Sequence, residues 1–206
     1  MITETERKPR ALVIDDSAEQ RQAALDTIDR EKYDLVVVDG IEEAMFELGC
    51  IDEYKAGPPG QRHSTFGRHH SKVLGGGFDY ILTDLHMPAS MRSLGKPEHY
   101  DATLQPYGYP IMILALSAGM KGVGILTEGS HHDSPMDSII DAGLDRDDSA
   151  RDHRRSKEIL TIGTTRVLIY TPYGPFLLRQ EKVGERYMDI KNWSTLLTAL
   201  ETGVIP

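Results

Sequence analysis

Residues 78–88 read FDYILTDLHMP, an apolar run that ends in an acid and then a turn. Within it, Tyr80–Leu82 lacks the apolar-polar alternation of a half-exposed strand. Continuous runs of this kind are what a parallel sheet covered by helices on both faces produces. Asp84 then falls at the carboxyl end of a buried strand, with Met87-Pro88 closing the turn. Working outward, similar runs occupy Ala11–Ile14, Leu35–Val38, Ile111–Leu116 and Val167–Tyr170. Together they predict five strands.

Helical patterns fall between them. Ser17 and Gln20 form an S-x-x-Q box opening a helix to about Arg30, because a serine side chain there accepts from a free first-turn amide. Ile41, Ala44, Met45 and Leu48 share one face at helical spacing. Ser134-Pro135 suits a cap and first helical position, with Met136, Ile139 and Ile140 as the buried stripe and a stop near Gly143. Trp193, Leu196, Leu197 and Leu200 repeat the pattern after Asp189, read as the cap. This alternation defines a doubly wound parallel α/β sheet, for which the usual strand order is 2-1-3-4-5.

The chain of 206 residues reads as a single domain over 1–206, with 39% hydrophobic residues and a formal net charge of −9. An acidic chain is a poor default partner for DNA, since phosphate binding needs a basic face. One cysteine, Cys50, excludes an internal disulfide framework. The segment MITETERKPR does not read as a signal peptide. No apolar run approaches the ~18 residues of a membrane span. A cytoplasmic setting away from membranes is the expectation.

Three stretches exceed a minimal sheet plan and read as insertions. Residues 54–77 carry Gly and Pro punctuation, four Lys/Arg and no acid; 88–109 form a long connection; 144–158 hold dense mixed charge. Long loops inside a compact domain are commonly functional or disordered. The eight histidines fall mostly in connections without the spacing of a transition-metal site. Val123–Thr127 reads as an extra strand or buried turn, inside a 119–135 loop that would overhang Asp84.

Asp15 and Asp16 end the first strand as Asp84 ends the third. Strands one and three are neighbours in the 2-1-3-4-5 order, and the ligand crevice of such sheets lies just outside those strand ends. Clustered carboxylates repel unless a cation joins them, and hard oxygen ligands suit Mg²⁺.

The segments ALVIDDS (11–17), FDYILTDLHMP (78–88), PIMILALSA (110–118) and LIYTP (168–172) resemble the response-regulator receiver family, a flavodoxin-like fold. The resemblance implies that Asp15 and Asp16 bind Mg²⁺ and that Asp84 accepts a phosphoryl group. The backbone carbonyl of His86 would complete the metal shell. Ser117 would be the switch hydroxyl ending strand four. Thr171 stands where the family has lysine, and Leu168 where it has an aromatic switch residue. Lys121 is a candidate replacement cation, with the basic residues of 54–77 as the alternative.

The function that the resemblance implies is that of a stand-alone, divergent receiver in phosphorelay signalling. It would accept phosphate from a histidine kinase or phosphotransfer protein, or act as a pseudo-receiver interaction module. Its output would pass to a protein partner through the helix 4, strand 5 and helix 5 face, near Met136–Ile140 and Trp193–Leu200. Such a module is a phosphoacceptor rather than an enzyme, apart from any hydrolysis of its own phosphate. The alternative is a Mg²⁺-dependent phosphotransferase or phosphatase with an aspartyl nucleophile, which the Asp15-Asp16-Ser17 spacing disfavours. A flavin module would need a phosphate loop where SAEQRQ stands.

Overall fold

A computed structural model describes residues 7–50, 75–88, 104–127, 159–170, 174–183 and 186–206. The first unit is β1 (Arg10–Ile14), α1 (Ala18–Thr27), β2 (Asp34–Val38), α2 (Ile41–Glu47) and β3 (Tyr80–Thr83). Short strands β4 (Met87–Pro88) and β5 (Leu104–Gln105) lead into α3 (Gly108–Ser117) and β6 (Gly122–Leu126). After them come β7 (Leu160–Ile162), β8 (Thr165–Tyr170), β9 (Leu177–Val183), β10 (Arg186–Lys191) and α4 (Trp193–Thr202).

The main sheet has six strands in the order β2-β1-β3-β6-β8-β7, one more than expected. Neighbours from β2 to β8 pair in parallel, while β7 pairs antiparallel with β8 at the edge. Both faces are covered, which is why the strands are continuously apolar. Ala11, Val13, Tyr80, Leu82, Leu126 and Leu168 pack with residues of α1 and α4. Leu12, Ile14, Ile81, Val123 and Val167 pack on the opposite face with α2 and α3. Trp193, Leu196 and Leu200 of α4 are fully buried, each side chain contributing about 2 kcal/mol relative to exposure.

The expected strand at Ile111–Leu116 is instead helix α3. Gly119, at φ 65°, ends it: the Met120 amide donates to the Ala115 carbonyl at 3.1 Å and the Ala118 amide to Leu114 at 2.9 Å. This is the left-handed glycine stop of a helix, which a strand does not need. The run is apolar all round, and Ile113 is left 59% exposed. The fourth parallel strand is β6, at the segment read as an extra strand or buried turn.

Two glycines explain why β6 is a weak sequence signal. A Cβ on Gly124 would lie 2.7–2.8 Å from the Leu196 side chain, and one on Gly122 would lie 3.1 Å from Leu200. Helix α4 therefore packs directly on the strand backbone, a close approach that removes the usual β-branched signature.

Asn192, not Asp189, caps α4: its side chain accepts from the Thr195 amide at 3.2 Å. Asp189 belongs to β10 instead. The expected helix around Ser134–Gly143 and almost all of the insertions at 54–77 and 144–158 lie outside the described residues. Of the 88–109 connection, the structure describes Pro88 and 104–109. The described helices include none long and apolar enough to cross a membrane.

Candidate functional site

Parallel pairing of β1 and β3 puts Ile14 beside Thr83, so the next residues on each chain, Asp15 and Asp84, leave the sheet side by side. The backbone ladder extends that far: the Asp84 amide donates to the Ile14 carbonyl at 3.0 Å, and the Asp15 amide to Val38 at 3.3 Å. The amide of Gly108, the first residue of α3, donates to the Leu85 carbonyl at 3.0 Å. A Cβ there would lie 2.8 Å from the Asp84 carbonyl oxygen. Gly108 thus lets α3 close onto the turn that carries the acid.

The cation at this site is Lys191. Its Nζ lies 2.7 Å from Asp15 Oδ2 and 3.0 Å from Asp84 Oδ1. The Lys191 and Asp15 side chains are 3% and 2% exposed, and that of Asp84 is 15% exposed. Asp84 therefore offers the site's access to solvent. The Lys191 ammonium donates to Asp15 Oδ2 and pairs ionically with Asp84 Oδ1, so one cation serves both acids.

The charge balance has the same direction. Burial pushes the Asp84 carboxyl up, against the opposing Lys191 charge, and Asp15 adds to the rise. Burial opposes charge on Lys191, but Asp15 and Asp84 outweigh it and push its pKa up to about 12. Asp16 is exposed. Partial desolvation, then the charge of Asp15, raises its carboxyl above the ordinary value. Arg21 donates to the Asp15 and Asp16 carbonyls at 2.9 and 2.8 Å, fixing this turn. One ammonium faces more acid than it neutralises.

Two sequence expectations change. Ser117 ends α3, where its hydroxyl donates to the Ile113 carbonyl at 2.8 Å. It lies toward the opposite edge of the sheet from Asp84, because α3 runs back along the strands. Lys121 sits at that opposite edge too, 3.1 Å from Asp79. At ~3.3 Å per residue, Asp79 and Asp84 are roughly 16 Å apart along the chain. Lys121 is therefore not the cation of the carboxylate site. Thr171 lies outside the described residues.

Lys191 and Thr127 went unassigned in the sequence. Thr127 follows β6, is buried, and donates its amide to the Tyr170 carbonyl at 3.1 Å. It holds the strand-end position that the sequence pattern gives to Ser117 by taking Ile111–Leu116 as a strand. Lys191 stands twenty residues beyond Thr171, reached through the β9–β10 hairpin. The usable signal was the pair of strand-like runs Leu177–Val183 and Arg186–Lys191.

No family model, curated protein or solved structure matches this chain.

Among the described residues, no three His, Cys, Asp or Glu side chains gather closely enough to hold a metal ion by themselves. Mg²⁺ makes a smaller demand, keeping several waters and taking one or two carboxylates. The oxygens that would meet that demand are those of the partly exposed Asp84 and the exposed Asp16, with the His86 carbonyl following in the same turn.

Proposed function

We propose that this chain is a receiver-like phosphoacceptor module in which Asp84 takes a phosphoryl group. The carrying observation is the buried Lys191 ammonium bridging Asp15 and Asp84 at adjacent strand ends. A lysine beside the acceptor is what the receiver family has and what the Thr171 position does not supply. Here a different segment supplies it. The order of the parallel strands, β2-β1-β3-β6-β8, supports the 2-1-3-4-5 arrangement of flavodoxin-like domains, with β7 and the hairpin as additions.

In this reading an oxygen of ionised Asp84 attacks the phosphorus of a phosphodonor. The new P–O bond forms as the bond from phosphorus to the donor breaks, and the donor leaves with the electron pair. There is little covalent work for the protein, so positioning and charge stabilisation carry the rate. Lys191 faces charge on the transferring oxygens from a dry site, where such an interaction is worth more than in water. Asp15 holds the ammonium in place, and Thr127 sits at the strand end where its hydroxyl would meet a phosphoryl oxygen. Mg²⁺, held by Asp16, Asp84 and the His86 carbonyl, would supply further charge neutralisation at the phosphoryl group.

Phosphodonors of this class are a histidine kinase or phosphotransfer protein, and the output passes to a protein partner. The α4 residues Trp193, Leu196, Leu197 and Leu200, named in the expected partner face, are buried. A partner would have to read the remaining surface of that helix. Intact-mass measurement after incubation with acetyl phosphate and Mg²⁺ tests the proposal. The wild type is expected to gain one phosphoryl group and Asp84→Asn none. An unmodified wild type, or equal modification of both proteins, contradicts it.

A further inference from the structure

The hairpin β9–β10 joins the carboxylate site at its base. Its last residue is Lys191, whose ammonium bridges Asp15 and Asp84. The same residue's amide donates to Gln20 Oε1 at 2.9 Å, and Gln20 Nε2 donates to the Asp189 carbonyl at 2.8 Å. Trp193 Nε1 donates to the Gln20 carbonyl at 3.0 Å. Ser17 Oγ meets Met188 Sδ at 3.8 Å. These tethers run between 188–193 and the start of α1.

Pairing in the hairpin is regular from Val183/Arg186 to Arg179/Ile190. Lys191 then pairs with Leu177, so Leu178 is an extra residue. The bulge bends β9 where it meets the Lys191 end of β10. Ile190 and Lys191 are both buried despite being consecutive, whereas simple alternation would send one outward. Farther out the hairpin is open to solvent, with Tyr187 73% exposed. A base bonded to the acid pair and to α1, and an exposed outer part, give the hairpin the form of a lever.

We propose that the β9–β10 hairpin is the output element of the Asp84 site, moved against α1 when Lys191 follows added negative charge on Asp84. This rests on the phosphoacceptor reading. Converting the Asp84 carboxylate to an acyl phosphate gives Lys191 a more highly charged partner than Asp15. The ammonium then shifts toward the phosphoryl oxygens. Its backbone carries β10 with it, and the Gln20 bonds to Asp189 and Lys191 rearrange. The readout is specific to this chain's route to the lysine, because a lysine on β8 would leave the hairpin uncoupled.

The full chain, with Mg²⁺ and beryllofluoride as a phosphoryl mimic, is observed by two signals at once. Bound fluoride in the ¹⁹F spectrum reports the adduct at Asp84. Amide shifts and hydrogen exchange across 177–191 report the hairpin, with exchange expected to change by about tenfold. Asp84→Asn is expected to lose both signals. Gln20→Met is expected to keep the adduct and lose most of the hairpin response. A bound-fluoride signal with unchanged hairpin amides overturns the lever and leaves the acceptor reading standing. Absence of any adduct overturns both.

Discussion

At the scale of single residues, the site turns on how one ammonium is shared. Lys191 is buried between two acids, and removing it leaves both without their counter-charge. Lys191→Met is expected to cost roughly 3–5 kcal/mol in urea unfolding, because two carboxylates lose their counter-charge. Adding Asp84→Asn to that variant is expected to restore part of the loss; a loss that grows instead would contradict the shared-cation account. Asp84 itself carries a pH signature. Burial raises its folded pKa above the ordinary 3.8, so the folded state holds this proton more tightly than the unfolded one. The resulting stabilisation is full below the unfolded value and is lost as pH rises through the folded value. Asp84→Asn is therefore expected to raise the melting temperature relative to wild type more at pH 7 than at pH 3. Thermal scans at the two pH values check this, and an equal offset at both would contradict it.

Secondary-structure elements show where sequence periodicity succeeds and where it fails. The runs at 11–14, 35–38 and 80–82 announce strands because both of their faces are buried and aliphatic. Ile111–Leu116 has the same composition, yet it is helix, and the deciding residue is Gly119 beyond its end. In β6 the confusion runs the other way: Gly122 and Gly124 dilute the strand pattern because α4 lies against them. Gly124→Val is expected to cost ~1–3 kcal/mol through overpacking against Leu196, despite valine's preference for strands. Unchanged stability would mean that α4 can retreat freely. At the start of α4, Asn192→Ala is expected to cost about 1 kcal/mol by freeing the Thr195 amide. Chemical denaturation of both variants reads these values.

Across the whole molecule, the acids were legible and the cation was not. Asp15, Asp16 and Asp84 follow from strand ends alone, because a parallel sheet gathers the ends of neighbouring strands on one edge. Lys191 depends on how a hairpin inserted before the last helix returns to that edge, which no local pattern specifies. Ser117 and Lys121 were displaced for one reason: taking α3 as a strand reverses the direction of everything between 108 and 121. The same reversal hid Thr127 at the true strand end. The chain thus places Asp84, Lys191 and Thr127 on three different segments, brought together only in the completed fold. Borohydride trapping tests this arrangement most directly, since it reduces an acyl phosphate to an alcohol and leaves homoserine at the acceptor position. After treatment with acetyl phosphate and Mg²⁺, peptide mass spectrometry is expected to find homoserine at position 84. Homoserine elsewhere, or none in a folded protein that retains Mg²⁺ and donor, would contradict the central claim.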